Sequence, residues 1–396
     1  MGERPVHAVL GTPGPLVVEK IREALLGGGP AVLPLDPSLP GPALRATLAA
    51  LRPTHLVTDE GVEALPGGVP ADGAVAAIIA TSGSTGTPKG VELPAAALVA
   101  SASASLERIG ARPGERWLCC LPPSHVSGLQ VLVRALLGGT EPVVHERFSP
   151  GAVAAAGADH VSLVPTQLRR VIDAGVPLTG LRTVLLGGAA PPPGLLEAAR
   201  GAGVRVVTTY GMSETCGGCV YDGVPLEGVR VAAGADGRIR LGGPVLFAGY
   251  RLRPDLTAAA MDGGWYVTSD LGTVEGGRLR VLGRADDVIN TGGRKVVAGT
   301  VAGVLGAHPG VREAVVLGRP HPEWGQEVVA VVVPADPAAP PALAELRAHV
   351  KTRLPGYAAP RAVRLVDRLP LLPNGKHDLV AIREEISRFV GTRDLS

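Results

Sequence analysis

The stretch Thr81-Ser82-Gly83-Ser84-Thr85-Gly86-Thr87-Pro88-Lys89-Gly90 gathers three glycines, a run of hydroxyls and one lysine. Glycine lets the backbone come close to a ligand, hydroxyls donate hydrogen bonds and a lysine adds a compact positive charge. Together these suit a loop that wraps phosphates. It is not a Walker A loop, in which the lysine opens a helix as Gly-Lys-Ser/Thr; Lys89 lies between Pro88 and Gly90. Taken alone, the stretch reads equally well as a Ser/Gly-rich linker. The apolar run Ala76-Ala77-Ile78-Ile79-Ala80 before it predicts that it leaves the end of a buried strand.

Three further groups carry chemistry. In Thr208-Thr209-Tyr210-Gly211-Met212-Ser213-Glu214-Thr215 the tyrosine could cover a purine and Glu214 could hold Mg²⁺ near phosphate oxygens. The plain alternatives are a core tyrosine and a helix-start glutamate. His125 and Arg134 lie nine residues apart on a segment that opens as a turn and continues as a helix. A buried histidine needs no function, but an arginine between Val133 and Ala135 wants a carboxylate or phosphate. Asp270, in Ser-Asp-Leu-Gly, could accept two ribose hydroxyls, although such an aspartate more commonly makes a turn. Cys216-Gly-Gly-Cys219 has the spacing of half a zinc knuckle or a redox pair; with no second ligand pair in the sequence, reduced thiols are the expectation.

The elements around these groups alternate. A helix over 16–27, a strand over 31–33, a turn over 34–40, a helix over 43–51 and a strand over 55–58 precede the phosphate loop. A helix over 94–109, a strand over 116–121, two strand-loop-helix units over 160–174 and 182–200 and a strand over 204–208 follow it. Such alternation predicts an α/β fold whose mostly parallel sheets are covered by helices on both faces, with ligands beyond the carboxyl ends of the strands. Gly187-Gly188-Ala189-Ala190 and residues 208–215 fall there, and short strands are expected over 242–250 and 265–272. After Gly283-Arg284-Ala285-Asp286-Asp287 the rhythm changes to a small α+β domain, with helices over 301–307 and 343–354 and strands over 314–317, 327–333 and 362–366. The expected organisation is residues 1–283 as a large domain, 284–287 as a hinge and 288–396 as a small mobile domain.

At 396 residues the chain is long enough for two domains. A net charge of +2 with no basic run argues against a nucleic-acid footprint. No window reaches the roughly 18 uninterrupted apolar residues of a membrane span, and the first residues lack a signal pattern, so a cytoplasmic location is the default expectation.

In chain order, the phosphate loop, the His125 segment, the Gly187-Gly188 loop, Tyr210-Gly-x-Ser-Glu-Thr, Ser-Asp270-Leu-Gly, Gly283-Arg-x-Asp-Asp and Pro373-Asn-Gly-Lys376 resemble the motifs of the adenylate-forming superfamily of acyl-CoA synthetases, adenylation domains and luciferases. The resemblance covers nearly the whole chain and is weakest before Thr81, where this chain is shorter than usual members. It implies ATP, Mg²⁺ and coenzyme A as ligands. By it, Thr81, Ser82, Gly83, Ser84, Thr85, Gly86 and Lys89 hold the ATP phosphates, Tyr210 stacks on adenine beside Gly188 and Ala189, and Thr209, Gly211 and Ser213 belong to the same site. Glu214 positions Mg²⁺, Asp270 and Arg284 hold the ribose hydroxyls, and Asp286 is the hinge. Lys376, delivered by the small domain, bridges the acyl carboxylate and the α-phosphate, and Gly293 with Gly292 lines the pantetheine passage. Lys89, His125, Glu214 and Lys376 form the implied catalytic set.

Residues 125–134, 162–170 and 210–229 resemble the o-succinylbenzoate-CoA ligases of menaquinone biosynthesis, especially short actinobacterial-type forms. This implies an acid site of His125, Ser127, Arg134, Gly188, Gly211 and Lys376, with Arg134 facing a carboxylate of a dicarboxylic substrate. The implied partners are a small carboxylic acid, ATP and coenzyme A, and a homodimer is compatible with the resemblance. Rival readings are ligation of another acid to coenzyme A, loading of a carrier-protein thiol, and a nucleotide-binding regulator without catalysis. Retention of Lys89, Glu214, Asp270, Arg284 and Lys376 counts against the last. His377-Asp378 stand where the superfamily has an apolar residue, Asp and Arg.

Overall fold

The computed structural model describes residues 2–26, 28–82, 88–372 and 377–388. They form two compact units: one of residues up to Gly188 with Ala199–Val231 and Arg240–Val267, the other of Ala189–Ala198, Ala232–Ile239 and Thr268 onward. The second unit thus begins earlier than the expected boundary at 283.

The first unit contains two seven-stranded sheets. In one, the strands run in the order Val143–Val144, Trp117–Cys119, His160–Leu163, Thr183–Leu186, Val206–Met212, Gly217–Tyr221 and Val224–Pro225. The first five are parallel, and the last two join antiparallel. In the other, the order is Gly249–Tyr250, Pro88–Pro94, Val75–Ser82, Ala31–Leu35, Val6–Leu10, His55–Thr58 and Gly61–Ala64. Its centre is parallel, whereas Val75–Ser82 and Pro88–Pro94 pair antiparallel up to Ser82 opposite Pro88. The phosphate loop therefore joins two strands of a hairpin. Its residues Gly83, Ser84, Thr85 and Gly86 lie outside the described residues.

The helix Ala95–Ile109 touches both sheets, and the helix Val126–Leu137 packs on it and on the first sheet. Every residue from Gly128 to Ala135 is buried, so this second helix is enclosed on all sides. A polar side chain in its middle is largely shielded from bulk solvent.

In the second unit, the strands Arg294–Val297, Val288–Thr291, Gly325–Pro334 and Val311–His321 lie side by side, with Ala362–Leu365 paired parallel to Gly325–Pro334. The central strand is buried on both faces: Val328, Ala330 and Val332 meet the helices Ala298–Gly306 and Leu343–Lys351, and Val329, Val331 and Val333 meet Leu379–Arg388. This alternation follows from the two-residue period of a strand.

Two expectations are corrected. Pro34 and Leu35 belong to the strand Ala31–Leu35 rather than a turn, in register with Val9 and Leu10. Thr209 to Met212 are strand, and only Ser213–Thr215 form a 3₁₀ turn. Asp270 falls in the strand expected over 265–272, which extends from Trp265 to Glu275 opposite Arg284, so the alternative of a turn-forming aspartate is removed.

Candidate active site

Strand ends bring the first group together. The strand Val206–Met212 continues past the edge of its parallel neighbours because Gly217–Tyr221 returns beside it, with a register shift at Tyr210 and Gly211. The 3₁₀ turn that reverses the chain is locked by Thr215, whose hydroxyl accepts from the Met212 amide at 3.0 Å and donates to the Gly217 carbonyl at 2.7 Å. Glu214 projects from that turn. Its carboxylate accepts a 2.8 Å hydrogen bond from the Tyr250 hydroxyl, and its carbonyl accepts from the Phe247 amide at 2.9 Å. The Lys89 ammonium lies 5.0 Å from the centre of the Tyr250 ring, within cation–π range. Phe247 packs edge-on against Tyr250 and Tyr266. Burial, reinforced by the Glu214 carboxylate, pushes the Tyr250 phenol well above its ordinary range, so it remains a donor.

A cation from the loop hairpin and a carboxylate from the turn thus meet on opposite parts of one aromatic side chain. This donor set fits a magnesium–triphosphate: a half-buried carboxylate with one oxygen fixed is a ligand for a hard cation, and an ammonium next to it suits phosphate oxygens. Thr81, whose hydroxyl donates to the Lys89 carbonyl at 3.3 Å, is the penultimate residue of the strand leading to the loop. Thr209 donates to the Leu186 carbonyl at 3.4 Å.

The second group lies along the enclosed helix. His125 is its N-cap, and the His125 carbonyl accepts from the Gly128 and Leu129 amides at 3.0 Å. Gly128 has to be glycine, since a Cβ there would run into the Leu121 and Pro122 carbonyls. Ser127 is exposed on the first turn, and Gly188, Ala189 and Gly211 are also exposed. Arg134, two turns further along, is 5% exposed. One guanidinium nitrogen donates to the Ser162 hydroxyl at 3.0 Å, the guanidinium lies 4.6 Å over the Trp117 ring, and Nε is buried without a partner. No ion pair to Arg134 occurs among the described residues. Burial lowers its proton affinity, yet a guanidinium stays charged in proteins, so this is a buried cation without a counter-charge among the described residues.

In the second unit, Arg284 lies 3.6 Å from Asp270 and 2.9 Å from Asp286, and Arg383 bonds Asp287 at 2.9 Å. The expected ribose-binding pair and the hinge residue are thus neighbours. Lys376 lies outside the described residues.

Sequence profiles of two families match: "AMP-binding enzyme" over residues 66–251 and "AMP-binding enzyme C-terminal domain" over 300–376. A probable 2-succinylbenzoate–CoA ligase of Mycobacterium tuberculosis is 44% identical over 408 residues, covering 99% of this chain and 100% of the relative. The chain belongs to the AMP-binding enzyme family. A feruloyl-CoA synthase of Amycolatopsis is 34% identical over 349 residues, covering 80% of this chain and 70% of the relative. Among solved structures, the o-succinylbenzoate–CoA synthetase of Bacillus subtilis in complex with its acyl-adenylate intermediate superposes with a TM-score of 0.82 at 27% identity, over 99% of this chain and 89% of that one. The same enzyme with ATP and magnesium ion gives 0.80 at 28%, over 94% and 88%.

Against this AMP-binding framework, one residue that sequence reasoning missed stands out. Tyr250, which fixes Glu214, was not singled out. Its signal in the chain is slight, one of five tyrosines, three residues after Phe247. Gly292 and Gly293 form the two-residue turn of the hairpin whose strands close at Thr291 and Arg294, with φ of 54° and 73°. Both positive values are those of a type I′ turn. A Cβ on Gly293 would meet nothing within 4 Å, so its backbone conformation, not local crowding, calls for glycine. Cys216 and Cys219 are fully buried free thiols, Cys219 pushed up to about 12 by burial and Cys216 raised by burial as well. Among the described residues, no group of three or more potential metal ligands forms, and no helix is long and apolar enough to cross a membrane.

Proposed function

We propose that this chain joins 2-succinylbenzoate to coenzyme A at the expense of ATP. In the first half-reaction a carboxylate oxygen of the acid attacks the α-phosphorus of ATP, the bond to pyrophosphate breaks, and an acyl-adenylate forms. In the second, the coenzyme A sulfur attacks the acyl carbon, gives up its proton, and AMP leaves. Magnesium, held by Glu214, supplies charge neutralisation on the phosphates. Lys89, with Thr81, Ser82, Gly83, Ser84, Thr85 and Gly86, binds the triphosphate. Tyr210, Thr209, Gly211, Ser213, Gly188 and Ala189 take the adenine side. Asp270 and Arg284 take the ribose, and Lys376 bridges the two reacting anions in the first step. Rotation at Asp286 then withdraws Lys376 and brings the Gly293 turn to the pantetheine arm, one site serving two steps in turn. His125 and Ser127 line the acid site. A cytoplasmic location and a homodimer belong to the same reading; sedimentation of the purified protein checks the second.

Arg134 carries the choice of acid. A monocarboxylate spends its one carboxylate on the reaction, whereas a dicarboxylate has a second to offer a buried cation. The similarity to feruloyl-CoA synthase supports a different aromatic acid as the second reading, and Arg134 counts against it. AMP release with ATP, Mg²⁺ and coenzyme A, compared across 2-succinylbenzoate, ferulate, benzoate and a medium-chain fatty acid, decides between them. Turnover confined to the dicarboxylate is expected; turnover only with another acid removes the substrate assignment and leaves the adenylation chemistry.

A further inference from the structure

Beneath Arg134 lies a column of side chains that the two half-reactions leave without a role. His160 and Trp117 are paired on adjacent parallel strands, so both rings rise from the same side of the sheet. Their centroids are 4.7 Å apart with planes inclined by 32°, and each residue is 1% exposed. The Arg134 guanidinium lies over the Trp117 ring at 4.6 Å, and Ser162, two residues beyond His160 on the same face, holds one of its nitrogens. Behind His160 stands Glu115, 2.8 Å from Nε2. Glu115 also pairs with Arg182 and accepts from the Arg112 amide at 3.0 Å. Cation, indole, imidazole and carboxylate thus follow one another in that order.

A buried arginine and a half-buried carboxylate in one cluster would ordinarily pair. Here each instead contacts one of two stacked rings, and the carboxylate is also held by Arg182 and the Arg112 amide. We propose that Trp117 and His160 are positioning residues for acid selection: their stacked rings keep Arg134 from being neutralised by Glu115, so the guanidinium stays available to the second carboxylate of the substrate. The inference rests on the proposed dicarboxylate reading. Burial, with Arg134 and Arg205 adding to it and Asp159 opposing, brings the His160 imidazole down to about 4. Glu115 opposes this too, but it is already shared with Arg182, and we take the ring as neutral. A neutral ring donates to Glu115 through Nε2 and adds no second charge behind Arg134.

The test compares full-length W117L, W117F and W117L/E115Q with wild type, using 2-succinylbenzoate and 4-oxo-4-phenylbutanoate, the same skeleton without the ring carboxylate. In W117L, kcat/KM for the dicarboxylate is expected to fall roughly 10- to 50-fold, as loss of a desolvated cation–π contact plus partial neutralisation implies. Values for the monoacid and KM for ATP should stay within about twofold, since neither involves Arg134. W117F restores most of the loss because it keeps an aromatic face, and E115Q in the W117L background restores it by removing the competing charge. Should W117L not fold, as judged by its circular dichroism and melting curve, H160A carries the same comparison. Equal losses for both acids, or no rescue by E115Q, overturn the inference. A wild-type enzyme that does not prefer the dicarboxylate instead overturns the functional reading, and wild type alone reveals it.

Discussion

Replacing Arg134 with methionine separates what this residue does for the fold from what it does for the substrate. Methionine approximates the length of the side chain and removes the charge. The guanidinium has one hydroxyl and one indole face as partners and is 5% exposed, so the folded protein carries the desolvation cost of the cation. Exchanging such a charge for an apolar side chain is commonly neutral or stabilising, and the melting temperature of R134M should stay level or rise. The substrate suffers the reverse. Its second carboxylate would enter a buried site with no counter-charge, and removing one partner of a buried pair costs about 3–5 kcal/mol. Taking about 3–4 kcal/mol, because a small ligand can draw in water, the loss in kcat/KM is roughly 150- to 900-fold at 1.36 kcal/mol per decade. The assay is ATP–pyrophosphate exchange with 2-succinylbenzoate and with 4-oxo-4-phenylbutanoate. Wild type should prefer the diacid by a similar factor, and R134M should treat the two nearly alike, with KM for ATP unchanged. An equal fall for both acids, or a rise in KM for ATP, would refute the assignment of Arg134 to the second carboxylate.

Tyr250→Phe keeps the ring that faces Lys89 and deletes the bond to Glu214; a hydrogen bond to a charged group is worth about 1.5–3 kcal/mol, so the magnesium concentration needed for half-maximal exchange should rise roughly 10- to 150-fold, and an unchanged titration would show that Glu214 needs no such support. His160 has a folded value near 4 against 6.5 in a free chain. The unfolded chain therefore binds the proton first on acidification, and stability present above pH 6.5 is lost as pH falls toward 4. The loss is on the order of 2–3 kcal/mol; urea denaturation of wild type and H160N should show a flatter pH dependence in the variant, and identical profiles would contradict the buried neutral ring. The four cysteines are buried free thiols, with Cys119, Cys120 and Cys219 pushed up to about 12; a thiol reagent at pH 7.5 should label none in the native protein over the time in which all four react in denaturant, and rapid native labelling of Cys216 or Cys219 would revive a redox role.

The alternating strands and helices between Trp117 and Thr208 could be read from the chain because each carries its own signal, an apolar run or an apolar stripe ended by glycine or proline. Arg134 could be read too, since its apolar neighbours along the helix already placed it inside. What escaped depended on partners distant in sequence. Tyr210-Gly-Met-Ser-Glu-Thr looks like a loop by composition, and becomes strand as far as Met212 because Gly217–Tyr221 returns along it. Asp270 looks like a turn residue, and the ladder to Arg278–Arg284 holds it extended. Tyr250 is 36 residues from Glu214, and no local pattern announces a bond across that distance. The stack of Arg134, Trp117 and His160 likewise exists only once two strands and a helix have come together.

The antiparallel return of Pro88–Pro94 alongside Val75–Ser82 has a bearing on how a triphosphate is gripped. Where a glycine-rich loop feeds directly into a helix, the aligned peptide dipoles place roughly half a positive charge at the loop whatever the side chains are. The strands on either side of this loop carry no such built-in field, because strand dipoles largely cancel. On the proposed function, Lys89, which stands beside this loop opposite Thr81, supplies part of the charge that a helix terminus would provide elsewhere. On that reading, acetylation of the Lys89 amine would weaken the grip on phosphate by removing its charge, a vulnerability that a dipole-based phosphate site does not share.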